Sequence, residues 1–196
     1  FAQESAWIAR KVAEAVAHPE RRDSIIELLR HFEHCFRYID DLLALNNHGL
    51  LRHFYKEIYH PDLDLKLENK IATKGTFLDL CIKIAEGKFQ RTLFDKRNDF
   101  NFTVNSFPHL PANVHFKRAH GILIGQLRRF AIANDTAETF FTDAQSLTTR
   151  LIDQGFDPKL LRRKCELFEV NYEYLLAKYQ LTKGIVPRNC FKPGRD

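Results

Sequence analysis

The sequence is poor in the residues that define disulfide-rich and membrane-spanning proteins. Its 196 residues include four cysteines, one tryptophan and no methionine. A transmembrane helix needs about 18 or more consecutive apolar residues, and because no run approaches that length, we expect no membrane partner. Since the chain starts at Phe1 and has no initiator methionine, we expect it to be a piece of a longer polypeptide.

The cysteines also lack the spacing of a zinc site. They stand at Cys35, Cys81, Cys165 and Cys190, with no Cys-x-x-Cys pair, which predicts free thiols in a reducing compartment. The nine histidines have no HExxH-type context and are not favoured as metal ligands. Because no signal-peptide pattern precedes the first predicted helix, we expect an intracellular protein, nuclear or cytoplasmic, that is not secreted.

What the sequence does contain indicates a folded, basic protein. Apolar residues make up 44% of the chain and include 17 phenylalanines, which excludes a disordered protein. This length predicts one or two compact units with a buried core. A net charge of +5 and a pI near 9.0 favour polyanionic partners without identifying one.

Hydrophobic periodicity predicts the α+β class. Helices are expected at 3–17, 21–32 and 50–58 in the first part, and at 116–133, 136–154 and 158–179 in the last part. Strands are expected in a hairpin at 35–46 and at 63–68, 76–84 and 88–94. An aromatic-rich loop covers 98–113, and a basic tail follows at 181–196.

Two adjacent carboxylates, Asp40 and Asp41, interrupt an apolar run at the predicted hairpin. Burying a carboxylate is costly unless it is paired or bound to a metal, and neighbouring aspartates repel each other. A hairpin tip that presents both to Mg²⁺ solves the problem, because Mg²⁺ takes oxygen ligands and is often held by one or two carboxylates and substrate phosphates. The alternative is a polar turn in a surface hairpin.

Tyr38-Ile39-Asp40-Asp41 resembles the Tyr-x-Asp-Asp box of reverse transcriptases. Four further segments follow in the order of the post-catalytic region of Penelope-like and related non-LTR retroelement enzymes. They are Phe77-Leu78-Asp79-Leu80, Thr92-Leu93-Phe94-Asp95-Lys96, Ser106-Phe107-Pro108-His109 and Lys117-Arg118-Ala119. Phe94-Asp95-Lys96 stands where tyrosine-arginine-lysine is usual in that family.

This resemblance implies a partial right-hand polymerase palm at 1–97, a connecting loop at 98–115, an all-α thumb at 116–180 and the basic tail at 181–196. It implies Asp40 as the main metal ligand, Asp41 as the second, and Tyr38 beside the primer terminus. The metal is Mg²⁺, with Mn²⁺ as an alternative. The implied partners are an RNA template, a DNA primer, deoxynucleoside triphosphates and the remainder of the polymerase.

The implied enzyme is a retrotransposon nucleotidyltransferase that works by the two-metal mechanism. Members of the family supply a further aspartate from an upstream palm strand, and nucleotide-binding residues from a fingers subdomain. Neither fits into the 37 residues before Tyr38. We therefore expect the isolated fragment to be inactive as a polymerase.

A second candidate site lies on the helix predicted at 116–133. At 100° per residue, two basic pairs and two glycines share one face of this helix. They are Lys117, Arg118, Gly121, Gly125, Arg128 and Arg129. Interior glycines destabilise a helix, so their presence here needs an explanation. One explanation is that a nucleic-acid duplex approaches the helix backbone closely, and the other is that the glycines pack against a neighbouring helix. Lys96 and Arg97 are further candidates for contact with the primer backbone.

Two competing functions fit the same residues. One is a non-catalytic nucleic-acid-binding remnant of a retroelement polymerase that keeps the fold and the basic thumb. The other is an unrelated magnesium-dependent hydrolase, which would need more acidic residues near Asp40 and Asp41, and for which Asp62, Asp64 and Asp79 are candidates.

Overall fold

A computed structural model of the chain describes residues 2–68, 73–101, 107 and 116–191, and the side chains of these except at 98 and 116–120. The residues fall into two compact units, Phe1–Lys70 and Ile71–Asp196. The described part contains eight α-helices and two small antiparallel sheets, which confirms the predicted α+β class. None of the helices in these ranges is long and apolar enough to span a membrane.

Three helices form the frame of the first unit. They match the predicted helices and are α1 (Ala2–Ala17), α2 (Arg22–Arg30) and α3 (Leu50–Ile58). The side chain of Trp7 on α1 is buried against Ile58 and Tyr59 at the end of α3. Its ring also contacts Phe32 and Phe54, so one aromatic cluster holds α1 against the segment after α2 and against α3.

The first unit also contains the predicted hairpin. Strands β1 (Cys35–Tyr38) and β2 (Asp41–Ala44) pair antiparallel, with Tyr38 opposite Asp41. The turn therefore consists of Ile39 and Asp40, whereas the sequence predicted Asp40-Asp41 at the tip. Asp41 instead begins the second strand.

Two strand predictions in the middle of the chain are wrong. Residues 63–68 form no strand, because the alternating leucines have no core to face: Leu63 and Leu67 are both exposed. The strand predicted at 76–84 is two strands separated by a turn at Leu78 and Asp79. This turn carries no recognisable sequence signal, because leucine stands at position 78, where the left-handed φ of +57° usually calls for glycine or asparagine.

These strands belong to a three-stranded sheet in the second unit. The sheet has the order β3-β4-β5, with β3 (Lys74–Phe77), β4 (Leu80–Ala85) and β5 (Lys88–Leu93) all antiparallel. The predicted turn at Glu86-Gly87 joins β4 to β5 and is confirmed.

Helices make up the rest of the second unit. They are α4 (Phe116–Ala133), α5 (Ala137–Asp153), α6 (Pro158–Asn171), α7 (Glu173–Leu176) and α8 (Ile185–Asn189). The side-chain oxygens of Thr136 and Asp157 accept hydrogen bonds from the backbone N–H groups of Thr139 and Lys159, and so cap α5 and α6. The helix predicted at 158–179 ends at Asn171, and the predicted tail includes α8. The shared core is apolar and includes Leu123, Leu127, Phe140, Leu147, Leu161 and Phe168.

Buried Asn134 joins the sheet to the helices. Its Nδ2 donates to the carbonyl of Phe130 and to Asp143, and its Oδ1 accepts from the backbone N–H of Leu93 on β5. Its own carbonyl accepts from Tyr179 at 2.7 Å. One fully buried amide therefore connects β5, α4, α5 and the segment after α7, and burial is tolerated because its polar atoms are paired.

The predicted division at 97 and 98–115 differs from the observed one. The sheet β3–β5 lies with the helices in one compact unit, because Asn134 and its neighbours bind β5, and the division falls after Lys70 instead. Of the predicted connecting loop, the structure describes only 98–101 and 107. The assignment of the parts to a palm and a thumb stays a prediction.

Candidate functional site

The turn of the hairpin presents two carboxylates to solvent. Asp40 lies in the turn and Asp41 at the start of β2, and both side chains are exposed. The neighbouring Tyr38 and Ile39 are 55% and 73% exposed, so the whole tip projects from the first unit's core. Adjacent carboxylates free of packing constraints are chemically suited to bind a hard cation.

The turn has an unusual backbone for its residues. Ile39 has a φ of +53°, in the left-handed region that β-branched residues rarely adopt. A two-residue hairpin turn favours asparagine or glycine at such positions. Strained residues of this kind cluster at functional sites, where the surrounding structure holds them in place.

Arg37 holds the turn from the other face of the hairpin. Its Nε donates to the carbonyl oxygen of Ile39 at 2.8 Å, and its Nη1 donates to Glu4 on α1 at 3.0 Å. The Tyr59 hydroxyl donates to the same carboxylate oxygen at 2.8 Å, and the Arg37 guanidinium lies 5.3 Å from the centre of the Tyr59 ring. The backbone of the turn is thereby connected to α1 and to the end of α3.

The Glu4 carboxylate is the electrostatic centre of this connection. Partial burial alone would raise its pKa, but hydrogen bonds from its own backbone, Tyr59 and Arg37 lower the pKa of Glu4 from 4.5 to about 2. Burial, followed by the hydrogen bond with Glu4, raises the pKa of Tyr59 above its usual range. Glu4 and Arg37 therefore remain a charged pair at every pH above the strongly acidic range.

Asp40 and Asp41 fit one part of a magnesium site. In the described ranges, no three His, Cys, Asp or Glu side chains come together as a metal-binding group. Two carboxylates nevertheless suit Mg²⁺, which keeps several waters and completes its shell with substrate oxygens. Of the acids considered for a hydrolase, Asp62 and Asp64 are exposed in the irregular segment after α3, and Asp79 belongs to the second unit.

The exposed face of α4 agrees with the helical-wheel prediction. Gly121, Gly125, Arg128 and Arg129 are exposed, whereas Leu123, Leu127 and Phe130 on the opposite side are buried. Apart from its chain neighbours and the nearby backbone of α4 itself, a Cβ atom added at either glycine would have no described atom within 4 Å. The glycines therefore do not pack against a described neighbouring helix, and the backbone there is open to an approaching molecule. The side chains of Lys117 and Arg118 lie outside the described residues.

A groove runs between this face and the turn that joins β3 to β4. We call it the arginine groove; its volume is about 380 Å³, and its lining includes Asp79, Arg91, Gly125, Arg128, Arg129 and Ile132. Sequence reasoning missed Arg91 and the role of Asp79, because both come from the sheet and reach α4 only through the fold.

Each arginine of the groove has a different partner. The Nε of Arg129 donates to Asp79 at 2.8 Å, and the guanidinium of Arg128 lies 5.1 Å from the centre of the Tyr172 ring. Arg91 donates to Asp135 through its side chain at 2.8 Å and through its backbone N–H at 2.7 Å.

Lys96 and Arg97 lie apart from the groove in a short 3-10 turn, Lys96–Asp99, that follows β5. Lys96 is exposed, but Arg97 donates to Asp95 at 2.6 Å, and Arg150 lies 3.8 Å from the same carboxylate. The hydrogen bond from Arg97 lowers the pKa of Asp95. The Arg97 charge is thus engaged within the second unit, and only Lys96 of this pair is left exposed.

The predicted site residues therefore fall into separate groups. Tyr38, Asp40 and Asp41 share the hairpin of the first unit, whereas the glycines and arginines of α4 belong to the second. Comparison of the chain with protein-family models, curated proteins and solved structures finds no match in any of the three. The functional assignment thus depends on the motif order and on the geometry of these two surfaces.

Proposed function

We propose that the chain is part of an RNA-directed DNA polymerase. The observation that carries the proposal is the hairpin in which Tyr38-Ile39-Asp40-Asp41 forms a two-residue turn with both carboxylates exposed. Its strained Ile39 and the hydrogen bond from Arg37 to the turn support a site whose backbone is held in one conformation.

Asp40 is the main metal ligand in this proposal and Asp41 the second. When bound, Mg²⁺ ions in such a site stabilise the attacking and leaving oxygens of nucleotidyl transfer. The chain's own contribution is to place two carboxylate groups on a rigid turn, and Arg37 fixes that turn through the Ile39 carbonyl. The exposed Tyr38 ring, on the same hairpin, is suited to stack against a sugar or base at the primer terminus.

The exposed face of α4 is the proposed contact for the template–primer duplex. Its arginines can neutralise phosphates, and its two glycines let a phosphate backbone approach the helix closely. The remainder of the polymerase would bind the deoxynucleoside triphosphates and supply a further metal-binding aspartate. The isolated chain is therefore expected to bind duplex and metal without extending a primer.

Paramagnetic Mn²⁺ tests the proposed metal site on the chain itself. Mn²⁺ is expected to broaden the NMR signals of residues 38–42 first, and Asp40→Asn should abolish that selective broadening. Asp62→Asn, which removes an exposed carboxylate from the same unit, is the matched control and should leave it unchanged. In the full polymerase that the proposal implies, Asp40→Asn should also abolish primer extension while Asp62→Asn should not. Equal broadening in wild type and Asp40→Asn would overturn the metal assignment.

Nucleic-acid binding without catalysis is the second candidate. The open, arginine-bearing face of α4 favours it, because that surface belongs to the second unit and does not need the hairpin. The Mn²⁺ experiment separates the two functions. Duplex binding that persists with no selective broadening at 38–42 supports this candidate over the polymerase.

A further inference from the structure

The ion pair between Arg129 and Asp79 occupies the arginine groove on the proposed duplex-binding face. The two side chains are 45% and 46% exposed, so both remain partly accessible to a ligand. Exposed ion pairs of this kind contribute little to stability and can exchange partners at low cost. The pair is thus poorly explained as a structural support.

The other two arginines of the groove differ from Arg129. Arg91 is tied to Asp135 by both side chain and backbone, and the backbone N–H of Asp135 returns a hydrogen bond to the Arg91 carbonyl at 3.0 Å. That reciprocal arrangement fixes β5 to the end of α4. The guanidinium of Arg128 lies over the ring of Tyr172 in a cation–π contact, at 5.1 Å from the ring centre.

The chemistry of Asp79 matches that of a nucleic-acid phosphate. A carboxylate and a phosphate both offer anionic oxygens to the N–H donors of an arginine, with similar distances and geometry. The arginine groove has a volume of about 380 Å³, within the range of small-ligand sites. Its lining also includes apolar Leu80, Ile132 and Ala133, against which a sugar could pack.

We propose that Asp79 occupies the place of a backbone phosphate on Arg129 in the free protein, and that a bound duplex displaces it. This inference rests on the proposed duplex contact of α4 and adds a competitor to it. Asp79 weakens binding in two ways, because it holds Arg129 and because its charge repels the incoming phosphate. Duplex binding is therefore opposed by a contact built into the β3–β4 turn.

A double-mutant cycle tests this competition. The four proteins are wild type, Asp79→Asn, Arg129→Ala and the double variant, and the probe is a fluorescein-labelled RNA–DNA hybrid of one helical turn, followed by anisotropy. Asp79→Asn should bind severalfold more tightly than wild type. In the Arg129→Ala background this gain should be much smaller, because only the relief of charge repulsion remains. Asparagine is well tolerated in turns, and thermal unfolding checks that each variant is folded.

Asp153→Asn is the charge-matched control. Asp153 is exposed on α5 and does not line the arginine groove, so its neutralisation raises the net charge equally. A gain that is the same for Asp79→Asn and Asp153→Asn, or that is undiminished in the Arg129→Ala background, would overturn the inference while leaving duplex binding intact. If neither wild type nor Asp79→Asn binds the hybrid, the proposed duplex contact fails together with it. Binding of the hybrid by Asp79→Asn alone would support the competition.

A free nucleotide offers similar phosphate chemistry and is tested with the same proteins. Titration with dTTP is expected to show no gain that depends on Asp79. A gain with dTTP and none with the hybrid would reassign the arginine groove to a nucleotide and overturn the proposal.

Discussion

Neutralising Glu4 should destabilise the first unit in a pH-dependent way. Glu4→Gln removes the charge that Arg37 and Tyr59 bind, at contacts of 3.0 and 2.8 Å, with little change in size. The difference between pKa values of 4.5 and about 2 corresponds to about 3 kcal/mol of stabilisation at neutral pH as an upper bound. The side chains of Glu4 and Arg37 are 24% and 29% exposed, so solvent screening reduces the expected loss of stability to roughly 1–2 kcal/mol.

The sign of the pH dependence follows from the direction of the pKa. The folded-state pKa of Glu4 is lowered, so its stabilisation is fully present above pH 4.5 and is lost as the pH falls toward about 2. Wild type should therefore exceed Glu4→Gln in free energy of unfolding at pH 7. The gap should shrink progressively below pH 4.5, the value that Glu4 has when unfolded.

Urea unfolding followed by tryptophan fluorescence measures this gap. Trp7 is the only tryptophan in the sequence and is buried in the first unit's core, so its signal reports on that unit. Glu27→Gln is the matched control, because Glu27 forms an ion pair with Arg30 in the same unit but is 61% exposed. A loss for Glu4→Gln that matches the control, or that is unchanged from pH 7 to pH 3, would refute the reasoning about this charged network.

Two further substitutions test the two surfaces. Ile39→Asn should raise the free energy of unfolding of the first unit by roughly 1 kcal/mol, because asparagine tolerates the left-handed conformation; an unchanged urea midpoint in the Trp7 assay would contradict the strain. Gly125→Leu should fold and stabilise α4 by somewhat under about 1 kcal/mol, since the added side chain meets open space, yet should bind the RNA–DNA hybrid more weakly. Ser146→Leu, at an exposed position of α5, is its control, and undiminished hybrid binding by Gly125→Leu would mean that the face is only solvated surface.

Local patterns in the sequence predict the regular elements well. α4 has the predicted bounds, 116–133, because its apolar positions recur at helical spacing and fill one side of the wheel. The helix α3 also has its predicted bounds, 50–58, and the apolar run that Asp40 and Asp41 interrupt predicts the hairpin at 35–46. The wrong predictions lie where tertiary context overrides the pattern. Residues 63–68 alternate between apolar and polar side chains but have no core to face, and α6 ends before Tyr172 although the periodicity predicts a helix to 179.

The candidate site was only partly predictable. Asp40 and Asp41 stand out because they are two charges in an apolar run, and spacing alone identified the face of α4. The contacts that position these residues are distant in sequence: Glu4 lies 33 residues before Arg37, and Asp79 lies 50 residues before Arg129. No local pattern encodes such pairs, because each depends on how the helices and the sheet pack.

The two strained turns offer a comparison within one chain. Ile39 and Leu78 each begin a two-residue hairpin turn with a left-handed φ, +53° and +57°, and each is followed by an aspartate. The residue after the turn differs: Asp41 begins β2 after the first turn, and Leu80 begins β4 after the second. In the described residues Asp79 pairs with Arg129 whereas Asp40 has no ion pair, so the first turn keeps two uncompensated carboxylates and the second keeps none. Backbone strain is thus common to both turns. We propose that the local charge decides what each turn attracts: a cation at the first turn, and a phosphate at Arg129 once Asp79 has been displaced at the second.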